Sequence, residues 1–214
     1  MTPNEMRDLI RQQLGYRTDL NDKIFADANL VQDRLENDEE LGNHWFLTQE
    51  YSDAGFVTAA ATKTVAVPST FLDEDEDHGG LYIYDSTATD PYIELKREDS
   101  GLFRRAFEGT SGQPTHYDLV GANIEFGPTP DAIYSLRWFA RFRDADILEG
   151  STANLWLTHA PLLIVAETGL MIAGSVHNDK AVGFFSDLAK SERRKLTLKN
   201  FSRETEEASM GGDN

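Results

Sequence analysis

The chain has 214 residues, enough for one large domain or one domain carrying an insertion, with 40% hydrophobic and 27% charged content. The absence of cysteine excludes disulfides, zinc–thiolate sites and cysteine nucleophiles, and fits a reducing compartment. With 37 acidic and 20 basic residues the formal net charge is -17, so the chain repels nucleic acid at long range and is not expected to read a DNA sequence. An acidic surface remains compatible with a channel wall past which DNA slides.

Met1-Thr2-Pro3-Asn4-Glu5 has neither a basic stretch nor an apolar core, so no secretory signal is expected. A first helix is predicted over residues 3–14. Thr2 can cap it, Pro3 suits its first position, Glu5 completes a capping box, and Gly15 can end it. Met6, Leu9, Ile10 and Leu14 share one face. A second helix is predicted over residues 19–37, with Leu20, Ile24, Ala28, Val31 and Leu35 in one stripe. The two read as a helical hairpin.

From His44 to Arg143 β-forming and turn residues dominate. Strands are predicted over 45–51, 56–60, 63–67, 81–85, 92–95, 115–119, 123–126 and 132–142, with a short helix over 101–108. Pro128-Thr129-Pro130-Asp131 fixes φ twice and reads as a stiff corner between strands. Short strands separated by polar turns predict an antiparallel sandwich or small barrel.

Helix returns after Ser151, over 152–157, 161–176 and 179–206. The run from Pro161 to Gly174 is apolar on nearly every face, as in a helix buried all round. It contains Glu167 and is shorter than the ~20 residues of a membrane span. Leu163, Ala166, Gly169, Leu170 and Ala173 are its candidate packing residues, within the chain or between copies. In the last helix Val182, Phe185, Ala189 and Leu196 recur at helical spacing, interrupted by Glu192. The fold class expected is α+β: an antiparallel helical bundle from residues 1–43 and 150–206, an inserted β-sandwich or barrel-like module at 44–149, and a flexible tail at 207–214.

Chemical motifs are sparse. Asp73-Glu74-Asp75-Glu76-Asp77-His78-Gly79 begins like an EF-hand loop, but the sixth and twelfth positions hold His78 and Tyr84 instead of Gly and Glu. A solvated acidic loop is the expectation, a calcium or magnesium contact the alternative. His44, His78, His116, His159 and His177 form no close metal-binding pair, and no Gly-x-Ser-x-Gly elbow is present. Gly109-Thr110-Ser111-Gly112 lacks the lysine of a phosphate loop. No carboxylate pair stands out for acid–base work. No catalytic residue, metal or cofactor is therefore expected. One basic stretch is out of place in so acidic a chain: Lys190, Arg193, Arg194, Lys195, Lys199 and Arg203 against Glu192 and Glu204. It is either a solvated face or a docking segment for an acidic partner, with Leu196, Leu198 and Phe201 as apolar anchors.

Several of these features, in order, resemble the head-to-tail adaptor proteins of tailed bacteriophages, also called connector or head-completion proteins. The resembling residues are Gly112-Gln113-Pro114 with Tyr117, the hairpin from Gly121 to Phe126, Pro128-Thr129-Pro130-Asp131 with the aromatic strand after it, and Asn154, Leu157, His159, Pro161, Leu162 and Asp179. The N-terminal hairpin and Pro68-Ser69-Thr70-Phe71-Leu72 fit the same pattern. The resemblance reaches about Leu188 and is strongest over 112–179. It implies a virion protein without enzymatic activity, assembled in the host cytoplasm into a dodecameric ring at the head–tail junction. The ring would bind the portal above and a tail, nozzle or stopper protein below, with DNA passing non-specifically through its channel. About twelve copies would carry roughly 200 negative charges. The implied portal-docking segment is C-terminal, with Arg193, Arg194, Lys195, Leu198, Lys199, Phe201 and Arg203 as candidates. Two alternatives stand beside it: a carbohydrate- or peptide-binding accessory virion module using Trp45, Tyr82, Tyr84 and Tyr92, and a cell-wall hydrolase.

Overall fold

The capping box at the start of the chain is formed. The Glu5 amide donates to Thr2 Oγ1 at 3.3 Å and the Thr2 amide to Glu5 Oε2 at 2.7 Å. The fold is that of a computed structural model, which describes residues 1–38, 41, 44–74, 79–98 and 100–210, with only the backbone described at 100–102 and 203–210. In chain order the elements are α1 (Pro3–Gln13), α2 (Asn21–Glu36), β1 (Thr48–Tyr51), β2 (Thr64–Ala66), β3 (Phe71–Asp73), β4 (Gly80–Tyr84) and β5 (Tyr92–Arg97). There follow α3 (Ser100–Ala106), β6 (Ser111–Gly112), β7 (His116–Val120), β8 (Asn123–Gly127), β9 (Thr129–Pro130), β10 (Ser135–Phe142), α4 (Leu155–His159), α5 (Pro161–Ser175) and α6 (Asp179–Met210).

The protein is mixed α+β and divides into two compact units. One joins Met1–Leu47 to Arg143–Asn214; the other is Thr48–Phe142, which lies between those segments in sequence.

In the helical unit α1 ends where Gly15 takes φ 77° and the Tyr16 amide reaches back to the Arg11 carbonyl at 2.8 Å. The stripe of α2 is buried as its spacing dictates, at Ile24, Ala28, Val31 and Leu35, with Leu20 buried just before the helix. Helix α5 packs against α1, α2, α4 and α6. Gly169 is explained by α6: a Cβ there would stand 2.4 Å from the Phe185 ring. Helix α6 extends to Met210, past the expected end at 206, and residues 211–214 of the expected tail lie outside the described residues. Residues 45–47 form a 3-10 turn rather than the start of a strand, since the Leu47 amide bonds the His44 carbonyl at 2.8 Å.

In the β unit one curled, half-barrel sheet runs β1-β10-β4-β5-β7-β8-β2, with β3 also on β10. It is neither a sandwich nor wholly antiparallel. Strands β5 and β7 are parallel, because α3 carries the chain across between them. The expected strand 56–60 is reduced to a bridge between Val57 and Ser135, cut short by a turn in which Ala61 takes φ 59°. The proline corner is more than a turn: Gly127–Pro128 is cis, and β9 pairs in parallel with β6. The concave core gathers Leu81, Ile83, Leu95, Tyr117, Ile124, Phe126, Leu136 and Trp138.

The two glycines of α5 should respond oppositely to alanine. Gly174 has open space where a Cβ would point, so Gly174→Ala should raise stability by about 0.5–1 kcal/mol through helix propensity. Gly169→Ala should lower it by about 1–3 kcal/mol, because the new methyl meets Phe185. Urea unfolding measures both; equal and positive effects would mean that α6 does not approach α5 at Gly169.

Candidate functional site

The basic stretch of α6 separates into an inward and an outward set. Arg193 turns inward, where Nε donates to Glu167 Oε1 at 2.5 Å and Nη1 to Asp38 Oδ2 at 2.8 Å. Glu167, only 6% exposed, also accepts from Arg34 Nη2 at 2.6 Å. Burial pulls the Arg193 guanidinium down, but its bonds to Asp38 and Glu167 outweigh that and hold it above its ordinary value. Arg193, an expected docking residue, is thus engaged within the chain, where it ties α6 to α5 and to the residues just after α2. Leu196, an expected apolar anchor, is buried within the chain. Asn200 follows on the same face, with Nδ2 donating to the Leu41 carbonyl at 2.9 Å. Positions 193, 196 and 200 are thus the inward row of a 3.6-residue period.

The outward row is Arg194, Leu198 and Phe201, with Lys195 and Lys199 beside it. Leu198 is 59% and Phe201 64% exposed, two large apolar side chains on one face of the helix. Lys195 Nζ donates to Glu192 Oε1 at 2.6 Å, and Lys199 Nζ sits 5.6 Å from the centroid of the Trp45 ring. The side chain of Arg203 lies outside the described residues. Of the five packing candidates on α5, Leu163, Ala166, Gly169 and Ala173 are buried within the chain, and Leu170 alone keeps surface.

Other expected sites fare differently. Asp75 to His78, most of the acidic loop, lie outside the described residues. Glu74 accepts from the Tyr117 hydroxyl at 2.7 Å and pairs with Arg97; burial, and then that hydrogen bond, push the Tyr117 phenol up. Among the described residues no group of three or more potential ligands could hold a metal ion. Trp45 belongs to the helical unit, 4.7 Å from the His159 ring, whereas Tyr82, Tyr84 and Tyr92 cluster on the sheet.

Sequence reasoning missed a buried polar network in the helical unit. Glu36 Oε1 accepts from Gln32 Nε2 (2.9 Å), Trp156 Nε1 (3.0 Å) and the Asp144 amide (3.2 Å). Asn154 caps α4 through the Leu157 amide (2.9 Å) and donates to Gln32 Oε1 (2.9 Å), while Asp144 accepts from the Leu155 and Trp156 amides. This network explains why the helical unit begins at Arg143 rather than at residue 150. The available signal was Gln32 and Glu36, four apart and flanking the buried stripe, together with a Trp whose indole N–H needs an acceptor.

No protein-family model matches the chain and no curated protein sequence matches it. None of the described helices is long and apolar enough to cross a membrane.

Burial pushes Glu36 above the ordinary carboxyl value of 4.5, with the bonds from Trp156, Asp144 and Gln32 opposing. Well below that value Glu36 is protonated folded and unfolded alike. As pH rises through 4.5 the unfolded chain gives up a proton that the folded chain keeps, so stability falls until the raised folded value is passed. Glu36→Gln should flatten this part of the pH–stability curve. Urea midpoints between about pH 4 and about pH 8 check it, and parallel curves for the two proteins would refute it.

Proposed function

We propose that the chain is a structural assembly protein of the head-to-tail adaptor kind, a ring-forming part that joins a phage portal to the tail and lines the DNA exit channel. The observation that carries this reading is the outward row of α6. Two large apolar side chains, Leu198 and Phe201, stand exposed among Arg194, Lys195 and Lys199 in a chain whose net charge is -17. Such a row matches a hot-spot interface: apolar anchors for a pocket, and a cationic rim for an acidic partner surface. It lies in the segment for which the resemblance implies portal docking.

The division into units supports the same reading. In the proposed architecture α1, α2, α5 and α6 form an antiparallel bundle at the ring, and the β unit is an insertion between its segments in sequence. With the core side of α5 spent inside one chain, contacts between the expected twelve copies fall to the outer helix faces, where Leu9 of α1, Leu30 of α2 and Leu162 of α5 keep surface. The acidic wall lets DNA pass without binding. The function needs neither catalysis nor a cofactor, its partners being further copies, the portal and a tail component. Its place is the virion's head–tail junction, after assembly in the host cytoplasm.

Mixing the protein with its cognate portal should give a stoichiometric complex with a ring of added density in electron micrographs. Leu198→Asp with Phe201→Asp should weaken that complex by about 2 kcal/mol or more while leaving thermal unfolding within about 0.5 kcal/mol of wild type. Absence of any stoichiometric complex, or unchanged affinity in the double variant, would overturn the reading.

A further inference from the structure

We infer that the convex face of β4, β5 and β10 is a carbohydrate-binding site. The alternation of the strands sorts its residues. Leu81, Ile83, Leu95, Leu136 and Trp138 point into the core, so Tyr82, Tyr84, Arg137 and Phe139 lie on the opposite face. Register sets Arg137, Tyr82 and Glu94 side by side in one row and Ser135, Tyr84 and Tyr92 in the next.

The rings form one cluster. Tyr82 stands 5.9 Å from Tyr92 and 5.6 Å from Phe139, and Tyr84 lies 5.3 Å from Tyr92. The face is prearranged. The Arg137 guanidinium is 4.6 Å above the Tyr84 ring and donates to the Ser52 carbonyl at 3.0 Å. Gly80 has no side chain where a Cβ would stand 2.9 Å from the Tyr82 hydroxyl, which lets that ring lie across the strand. Among the described residues the hydroxyls of Tyr82, Tyr84 and Tyr92 have no hydrogen-bond partner.

This chemistry selects its ligand. A peptide adding itself as a strand would bind along a sheet edge, whereas the rings of Tyr82, Tyr84 and Tyr92 gather on the face of strands centred on β4, which is paired with β10 and β5 on both sides over Leu81–Tyr84. Nucleic acid is disfavoured by Glu94 and the net charge. Aromatic rings interleaved with charges of both signs, Arg137 and Glu94 in one row with Tyr82 between them, suit an uncharged ligand with apolar C–H faces and many hydroxyls. An oligosaccharide is such a ligand: its ring faces rest on the tyrosines while its hydroxyls bond Glu94, Arg137 and the tyrosine hydroxyls.

The test uses the full chain alone, without portal, so it succeeds or fails independently of the adaptor reading. The labelled protein is applied to an array of neutral and charged oligosaccharides and, in parallel, to a peptide array. The expected result is selective binding of a neutral oligosaccharide class, weakened about tenfold or more by Tyr92→Ala and by Glu94→Ala, largely restored by Tyr92→Phe, with unfolding midpoints unchanged. No oligosaccharide bound above background, binding of peptides only, or full binding by a folded Tyr92→Ala protein would each overturn the assignment.

Discussion

The carboxylate of Glu167 sits on a helix that is otherwise almost wholly apolar. A buried, unpaired carboxylate there would cost several kcal/mol, a large share of a domain's stability. It is tolerated because Arg34 and Arg193 each hold one of its oxygens, and Asp38 takes the second arm of Arg193. These groups come from α2, the residues just after it, α5 and α6. The rotation of α6 about its axis is therefore fixed at Arg193. With Arg193 inward, helical geometry carries Leu196 and Asn200 inward and turns Arg194, Leu198 and Phe201 outward. An interaction internal to one unit thus decides which face of α6 points outward.

Local signals fixed much of the helical unit. The Thr2–Glu5 box, the stop at Gly15, the α2 stripe and Pro161 at the head of α5 were all legible, because each depends on residues a few positions apart. The strands 81–85, 92–95, 115–119 and 123–126 came out within a few residues of β4, β5, β7 and β8 for the same reason. The parallel step between β5 and β7 was not legible, since pairing partners are chosen by the whole sheet. Nor were β6 and β9, too short to carry a period of two.

The site was legible as a composition but not as a surface. A cationic run in an acidic chain is visible in the sequence, yet nothing local tells Arg193 from Arg194. Only the position of Glu167, and the order of small and large residues where α5 meets α6, separates them. Gly169 belongs to that order: its missing side chain admits Phe185, which seats α6 close enough for Arg193 to reach Glu167. The aromatic residues behaved similarly. Trp45, Tyr82, Tyr84 and Tyr92 looked equivalent as candidates, and the fold assigned the first to one unit and the other three to a shared face of the other.

The two surfaces also differ in how they relate to the protein's charge. The outward row of α6 is a cationic exception on an acidic protein, suited to a partner that shares the acidity of the rest of the chain. The convex face of the sheet mixes both signs around its rings and suits a ligand with no charge. The account of α6 rests on the clamp, and a double-mutant cycle in urea unfolding between Glu167→Gln and Arg193→Met tests the clamp most directly. It should return a coupling of about 1.5 kcal/mol or more, because each single variant leaves a buried group without its partner. Additivity within about 0.5 kcal/mol would mean that Glu167 and Arg193 do not hold α6 in place.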